Sequence, residues 1–201
     1  MTSIVAFDED SIPSASALVA SGGLIVYPTD TVYGLGCDPH NEKAVRRLFE
    51  AKRRDASPVP ILCDGIESAL RLVEMNPRAL KLAERHWPGA LTIVATLKVP
   101  LPFPLHQGTG TLGVRVPGSE LCLRLITECG GQLTGTSANL SGAPSSRTAL
   151  EARRQLGDTV DLVLDGGRLE GLESTVIRVT GEKIEAIRRG PVGVSEEADT
   201  G

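Results

Sequence analysis

Three stretches of this chain bring polar groups together more densely than a packing role requires. Pro28-Thr29-Asp30-Thr31-Val32-Tyr33-Gly34-Leu35 places two threonine hydroxyls, a phenol and a carboxylate directly after a short apolar run. Hydroxyls both donate and accept, so this segment at a strand end suits a small polar substrate. The same residues also suit a plain turn in which Asp30 caps a loop. Thr134-Gly135-Thr136-Ser137-Ala138-Asn139-Leu140-Ser141-Gly142, followed by Ser145 and Ser146, mixes small hydroxyl residues with glycines. Its N–H and hydroxyl groups can face phosphate oxygens, or form only a polar loop. Lys52-Arg53-Arg54 closes a helical pattern. These cations either complement the helix dipole or aim at phosphates, Lys as a point charge and Arg as a fork. Arg115 sits in Gly113-Val114-Arg115-Val116-Pro117, and a guanidinium among valines needs an anionic partner. Glu173-Ser174-Thr175-Val176 and Arg188-Arg189-Gly190-Pro191 complete the set.

The common nucleotide and hydrolase motifs are missing. There is no G-x-x-x-x-G-K-[ST] phosphate loop, no G-x-S-x-G and no H-E-x-x-H. Gly108-Thr109-Gly110-Thr111-Leu112-Gly113 does match G-x-G-x-x-G. No apolar strand precedes it, and a strand pattern rather than a helix follows, so it does not read as a dinucleotide fingerprint. Cys37, Cys63, Cys122 and Cys129 form no C-x-x-C pair and lie at no zinc-finger spacing from a histidine. They read as buried free thiols in a reducing compartment.

The elements that must position these groups follow from periodicity. Leu24 to Tyr27 is a short apolar strand after Gly22-Gly23, and Ser14 to Ala20 before it is helical. Asn41 to Lys52 carries Ala44, Val45, Leu48 and Phe49 at helical spacing, with Asn41 as cap. Val59–Cys63, Leu91–Leu97, Gly113–Val116, Gln132–Thr134, Leu162–Leu164, Ser174–Val179 and Ile184–Arg188 read as strands, the last two as a hairpin. Ile66–Val73, Pro77–Arg85, Leu121–Glu128 and Thr148–Leu156 read as helices, and Pro100–Pro104 as a loop or edge. Strands and helices intermix without strict alternation, which predicts an α/β fold: a mixed twisted sheet with helices packed on it.

At 201 residues, with 41% hydrophobic and 23% charged residues, the chain can bury a core without metals or disulfides. Residues 1–194 are expected to form one domain and the acidic 195–201 to fray. The formal net charge of −4 excludes a general cationic coat for nucleic acid but permits a local basic cleft. No segment approaches the roughly 20 apolar residues of a membrane span, and the N-terminus lacks a basic start, so a soluble cytoplasmic protein is expected.

Read together, the motifs resemble one family. Pro28-Thr29-Asp30-Thr31-Val32-Tyr33-Gly34-Leu35, Lys52-x-Arg54, Trp87-Pro88-Gly89-x-Leu91-Thr92, Arg115-Val116-Pro117, Ser137-Ala138-Asn139-x-Ser141-Gly142, Ser174-Thr175-Val176 and Arg188-x-Gly190 occur in the order of the YrdC/YciO family, from about Ile12 to Val192. The resemblance implies a twisted open α/β sheet with a deep positive cleft. It implies synthesis of threonylcarbamoyl-AMP from L-threonine, bicarbonate and ATP, with Mg²⁺ accompanying ATP and no prosthetic group. A downstream threonylcarbamoyl transferase would pass the group to a tRNA adenosine.

By position, Thr31, Arg115 and Ser174 match the family's threonine-binding residues, and Gly135 falls where a backbone group touches threonine. Arg54, Thr111, Ser137, Ser145 and Arg188 match its nucleotide-binding positions. Lys52 and Asn139 lie in the same motifs and join the ATP set on chemical grounds, with Lys52 and Arg54 as the catalytic cations. The chain departs from the pattern at Asp55, where Pro is common, and at Pro58, where a polar residue is common. Cys63 occupies a position that is often a threonine-contacting His, a feature reminiscent of the YciO branch. A YciO-like relative with weak or different activity, and a double-stranded RNA-binding protein, are the alternative readings. The acidic balance and scarcity of aromatics limit RNA to weak binding.

Overall fold

The computed structural model describes residues 2–53 and 57–194. The tail expected to fray, 195–201, lies outside the described residues, as do Arg54 and Asp55. In chain order the strands are β1 (Ser3–Ala6), β2 (Ile25–Pro28), β3 (Tyr33–Gly36), β4 (Ile61–Cys63), β5 (Val73–Glu74) and β6 (Leu91–Leu97). They continue with β7 (Thr111–Arg115), β8 (Gln132–Thr134), β9 (Thr136–Ser137), β10 (Leu162–Asp165), β11 (Thr175–Thr180) and β12 (Lys183–Arg188). The α-helices are α1 (Ile12–Ala20), α2 (Glu42–Lys52), α3 (Ile66–Leu72), α4 (Pro77–His86), α5 (Phe103–His106), α6 (Glu120–Glu128) and α7 (Ala149–Leu156). The expected mixed α/β architecture is the one found.

Several helices start where a side chain can satisfy free N–H groups of the first turn. Asn41 accepts from the Lys43 and Ala44 N–H groups at the start of α2, both at 3.1 Å. Asn76 accepts from Ala79 N–H at 2.8 Å, and Thr148 from Glu151 N–H at 3.1 Å, starting α4 and α7. The strand β3 went unread in the sequence because Gly34 and Gly36 dilute its β character. Both glycines have a packing reason. A Cβ at Gly34 or Gly36 would come within 3.0 or 2.7 Å of the Tyr27 ring, which crosses this strand. Pro100–Pro104 was expected as a loop or edge; its last residues instead open the short helix α5.

Two sheets form. One has the order β1-β10-β2-β3-β9, and the other β12-β11-β6-β7-β4-β8 with β5 beside β6. In the second sheet the pairs along that order alternate antiparallel and parallel, and β11 and β12 make the expected hairpin. The chain passes from one sheet to the other at Gly135, the residue between β8 and β9. Helices α1 and α6 pack with Ile25, Tyr27, Leu62, Leu133 and Leu164 in one apolar cluster. A larger cluster joins α2, α3, α4 and α7 to the other faces of the strands. No helix among the described residues is long and apolar enough to cross a membrane.

The crossing point is tight. Gly135 N–H donates to the Pro60 carbonyl at 2.8 Å, and Thr134 N–H to the Cys37 carbonyl at 3.1 Å. A Cβ on Gly135 would lie 2.4 Å from Leu62 Cγ, and Leu62 is itself buried. Gly135→Ala is therefore expected to destabilise the protein by about 1–3 kcal/mol through overpacking. Urea unfolding of the variant, followed by circular dichroism, checks this.

Candidate functional site

A β-strand sends alternate side chains to opposite faces of its sheet, and this rule builds an open pocket of about 400 Å³ where the two sheets meet. Thr92 and Val94 of β6 face the pocket, whereas Leu91 and Ile93 are core. Thr111, Gly113 and Arg115 of β7 face it, whereas Leu112 and Val114 are core. Ser174, Val176 and Arg178, in and just before β11, face it, whereas Ile177 is core. Thr29, Thr31 and Val32 close one side from the end of β2, and Gly135 to Ser137 another.

Arg115 is 5% exposed, so its charge requires compensation inside the protein. It pairs with Asp30 at 2.5 Å, donates to Thr31 Oγ1 at 3.0 Å and donates through Nε to the Gly89 carbonyl at 2.8 Å. The anionic partner demanded by the sequence is thus supplied by Asp30, in the same motif as Thr31. A guanidinium has five donors, and these bonds engage three, so Arg115 retains capacity for a carboxylate in the pocket. Thr31 is fixed in turn by Thr29, whose Oγ1 lies 3.0 Å from Thr31 Oγ1 and accepts from Thr31 N–H at 3.1 Å.

Arg188 lies across the pocket on the final strand. Its Nε donates to the Ser174 carbonyl and one terminal nitrogen to Ser174 Oγ, both at 3.0 Å, while the other pairs with Glu173. Ser174 Oγ also contacts Thr92 Oγ1 at 2.9 Å. Two separate motifs meet here because Gly190 lies directly against the backbone of Glu173 to Thr175. A Cβ on Gly190 would come within 2.4 Å of the Glu173 carbonyl oxygen. Thr175 Oγ1 secures the same turn by accepting from the Gly190 and Val192 N–H groups at 3.1 and 3.0 Å.

Seven expected contact residues therefore share one pocket: Thr31, Thr111, Arg115, Gly135, Ser137, Ser174 and Arg188. Others do not reach it. Lys52 was expected at phosphates, but it is 1% exposed, and its Nζ donates to the Ser137 carbonyl at 2.5 Å and the Asn139 carbonyl at 2.8 Å. It also contacts Asn139 Oδ1 at 3.3 Å, and its own carbonyl accepts from Ser141 N–H at 3.0 Å. Lys52 ties the segment 137–141 to the end of α2, which corrects its assignment as a catalytic cation. Asn139, expected at ATP, is buried and donates from Nδ2 to the Leu140 and Ala143 carbonyls at 3.1 and 2.6 Å. Ser145 does not line the pocket; its hydroxyl donates to Glu173, which does. Arg54 lies outside the described residues.

Cys63 is the clearest correction among the threonine-side residues. It is fully buried in the larger cluster, because on β4 only Leu62 between Ile61 and Cys63 turns toward the pocket. Burial pushes its thiol up to about 12, aided by neighbouring Asp64, so it stays neutral at neutral pH. Pro58 does line the pocket, as its sequence position suggested. The residues that sequence reasoning passed over are Thr92, Glu173 and Arg178. Arg178 shares the alternation phase of Ser174, and that phase is the signal that identifies it. Thr92 lies on a strand with no assigned residue, and Glu173 is out of phase with Ser174, so the folded arrangement alone places these two at the pocket. Among the described residues no three His, Cys, Asp or Glu side chains group to hold a metal ion.

A mixed α/β fold with a cation-bearing, hydroxyl-rich pocket at the junction of its sheets defines a small-molecule-binding class. The Sua5/YciO/YrdC family model, described as "Telomere recombination", matches residues 17–190, and the chain belongs to this family. A Pyrococcus abyssi protein named threonylcarbamoyl-AMP synthase is 36% identical over 192 residues, covering 94% of this chain. The chain spans 56% of that relative's length. The crystal structure of P. abyssi Sua5 complexed with L-threonine superposes with a TM-score of 0.87 at 35% identity, covering 94% of this chain and 57% of that one. The E. coli YciO structure superposes with a TM-score of 0.89 at 26% identity, covering 98% of this chain and 99% of that one.

Two outcomes follow from these placements. Lys52→Met removes the donor from buried carbonyls, and each one left unpaired costs about 1–3 kcal/mol. The variant is expected to melt well below the parent, as differential scanning calorimetry would register. Cys63→His forces a larger ring into the core. It is expected to lower the melting temperature without tightening threonine binding, and tighter binding in calorimetry would return Cys63 to the pocket wall.

Proposed function

We propose that this chain is a threonylcarbamoyl-AMP synthase, and that the pocket at the sheet junction is its active site. The observation that carries this reading is the convergence of Arg115, Thr31 and Ser174 with Arg188, Thr111 and Ser137 on one cavity. The first three suit an amino acid. Arg115 binds its carboxylate through the donors left free by Asp30, Thr31 and Gly89, and the hydroxyls of Thr31 and Ser174 orient it. The second three suit a nucleotide, with Arg188 facing phosphate charge and the hydroxyls of Thr111 and Ser137 facing oxygens.

In this reading the threonine amine combines with bicarbonate, forming an N–C bond and releasing water. An oxygen of the resulting carbamate attacks the α-phosphorus of ATP, and the bond to pyrophosphate breaks. The chain supplies position and charge rather than a covalent nucleophile. Magnesium would accompany ATP, held mainly by phosphate and water oxygens, and would supply charge compensation on the phosphates. Tyr33 plays no part through its phenol, which donates to the Gly167 carbonyl at 2.6 Å and is pushed up to about 12 by burial. Delivery of the product to a downstream transferase, and a cytoplasmic setting, belong to the same proposal.

Pyrophosphate release with ATP, threonine and bicarbonate, each omitted in turn, tests the activity; release that ignores threonine would favour a YciO-like relative with another substrate. Arg115→Lys keeps a cation for Asp30 but loses the planar fork. Loss of a charge-assisted contact of about 1.5–3 kcal/mol corresponds to roughly ten- to a hundredfold. The variant is thus expected to raise KM for threonine by that factor and to leave KM for ATP near the parent value.

A further inference from the structure

Glu173 is the only carboxylate lining the pocket among the described residues. It lies in a cavity whose other charged side chains are the guanidinium groups of Arg115, Arg178 and Arg188. Both of its oxygens are engaged. Oε1 accepts from the Ser145 hydroxyl, and Oε2 accepts from Arg188. Ser145 and Arg188 come from distant segments, one after β9 and one at the end of β12. A cation and a hydroxyl donor aimed at one point make an anion site. In this structure the anion at that point belongs to the protein. The pair is not sealed in the core: the side chains of Arg188 and Glu173 are 44% and 35% exposed. An external anion can therefore approach the same donors.

We propose that Glu173 is a specificity-determining residue: a tethered internal anion that closes the Ser145–Arg188 site to singly charged ligands and yields to a polyphosphate. The proposal rests on the reading of this pocket as a nucleotide site. A free carboxylate or bicarbonate offers Arg188 and Ser145 no more charge than Glu173 does. It must also compete with a group held in place at an effective concentration in the millimolar range or above. Such ligands are thereby left to Arg115. A triphosphate presents several anionic oxygens on one molecule. It can take Arg188, Ser145 and neighbouring hydroxyls together, and so displace a single carboxylate. Glu173 would then sort two kinds of anion between two guanidinium groups that share one cavity.

The test is calorimetric titration of the full chain with inorganic tripolyphosphate, comparing the parent with Glu173→Gln. Glutamine preserves the shape and one acceptor but removes the charge. The expected result is about tenfold tighter tripolyphosphate binding by the variant. Raising the ionic strength should shrink the difference, because partly exposed charges are screened. Equal or weaker tripolyphosphate binding by a folded Glu173→Gln would overturn the proposal and leave Glu173 as a residue that merely orients Arg188. Should Gln unfold the chain, Glu173→Ala serves with the same expectation. The outcome separates from the proposed activity: tighter tripolyphosphate binding without threonine-dependent pyrophosphate release rejects the synthase reading and keeps the sorting role.

Discussion

Alternation of side chains along the strands of the larger sheet is the constraint on which the rest of this structure depends. Each of β6, β7 and β11 serves two environments at once. One set of positions closes the apolar cluster with α2, α3 and α4; the other lines the pocket. A shift of one residue in any register would exchange the two sets and drive Arg115 or Arg178 into the core. The parallel pairing of β11 with β6 and the antiparallel pairing of β6 with β7 keep Thr92, Arg115 and Ser174 in phase. Packing on one face thus determines chemistry on the other.

Two buried cations then brace the walls. Lys52 holds the segment 137–141 by its carbonyls, and Arg115 holds the Asp30–Thr31 turn to the Gly89 carbonyl. Burying either charge without partners would cost several kcal/mol in a low-dielectric interior, so each segment is fixed where the cation needs its acceptors. The glycines at these sites have a related role. Gly135 lets the chain change sheets against Leu62, and Gly190 lets the last turn rest on the backbone of Glu173 to Thr175.

The pocket's hydrogen bonds run in a connected series from one side to the other. Glu173 joins Ser145 to Arg188, Arg188 joins Ser174, and Ser174 joins Thr92. Residues on β6, on β12 and in the segment before α7 therefore share one network, in which a change of partner at Arg188 reaches Ser174 directly. In the proposed reading Arg188 serves the nucleotide and Ser174 the threonine, so the Arg188–Ser174 hydrogen bond would couple the two substrate sites. That arrangement suits a reaction in which both must be present before a bond is made.

Much of this was legible in the amino-acid order. The cap at Asn41, the helical spacing through Phe49, the β11–β12 hairpin and the run Leu91–Leu97 are local features, set by interactions over a few residues, and they appear where the sequence indicates. Arg115 stood out by type, because a guanidinium among valines needs an anionic partner, whereas Thr31, Ser137, Ser174 and Arg188 were singled out by their match to the family's motifs. What the sequence did not determine is which way a residue faces and what it meets. Lys52 was expected to face phosphates, but the fold brings the carbonyls of residues 137 and 139 over it. Cys63 looked like a pocket residue until the phase of β4 turned it inward. Glu173 was one letter in a motif until Ser145, 28 residues earlier, and Arg188, 15 later, closed on it. Facing and partnership depend on contacts between segments far apart in the chain, and only the folded arrangement of the two sheets supplies those contacts.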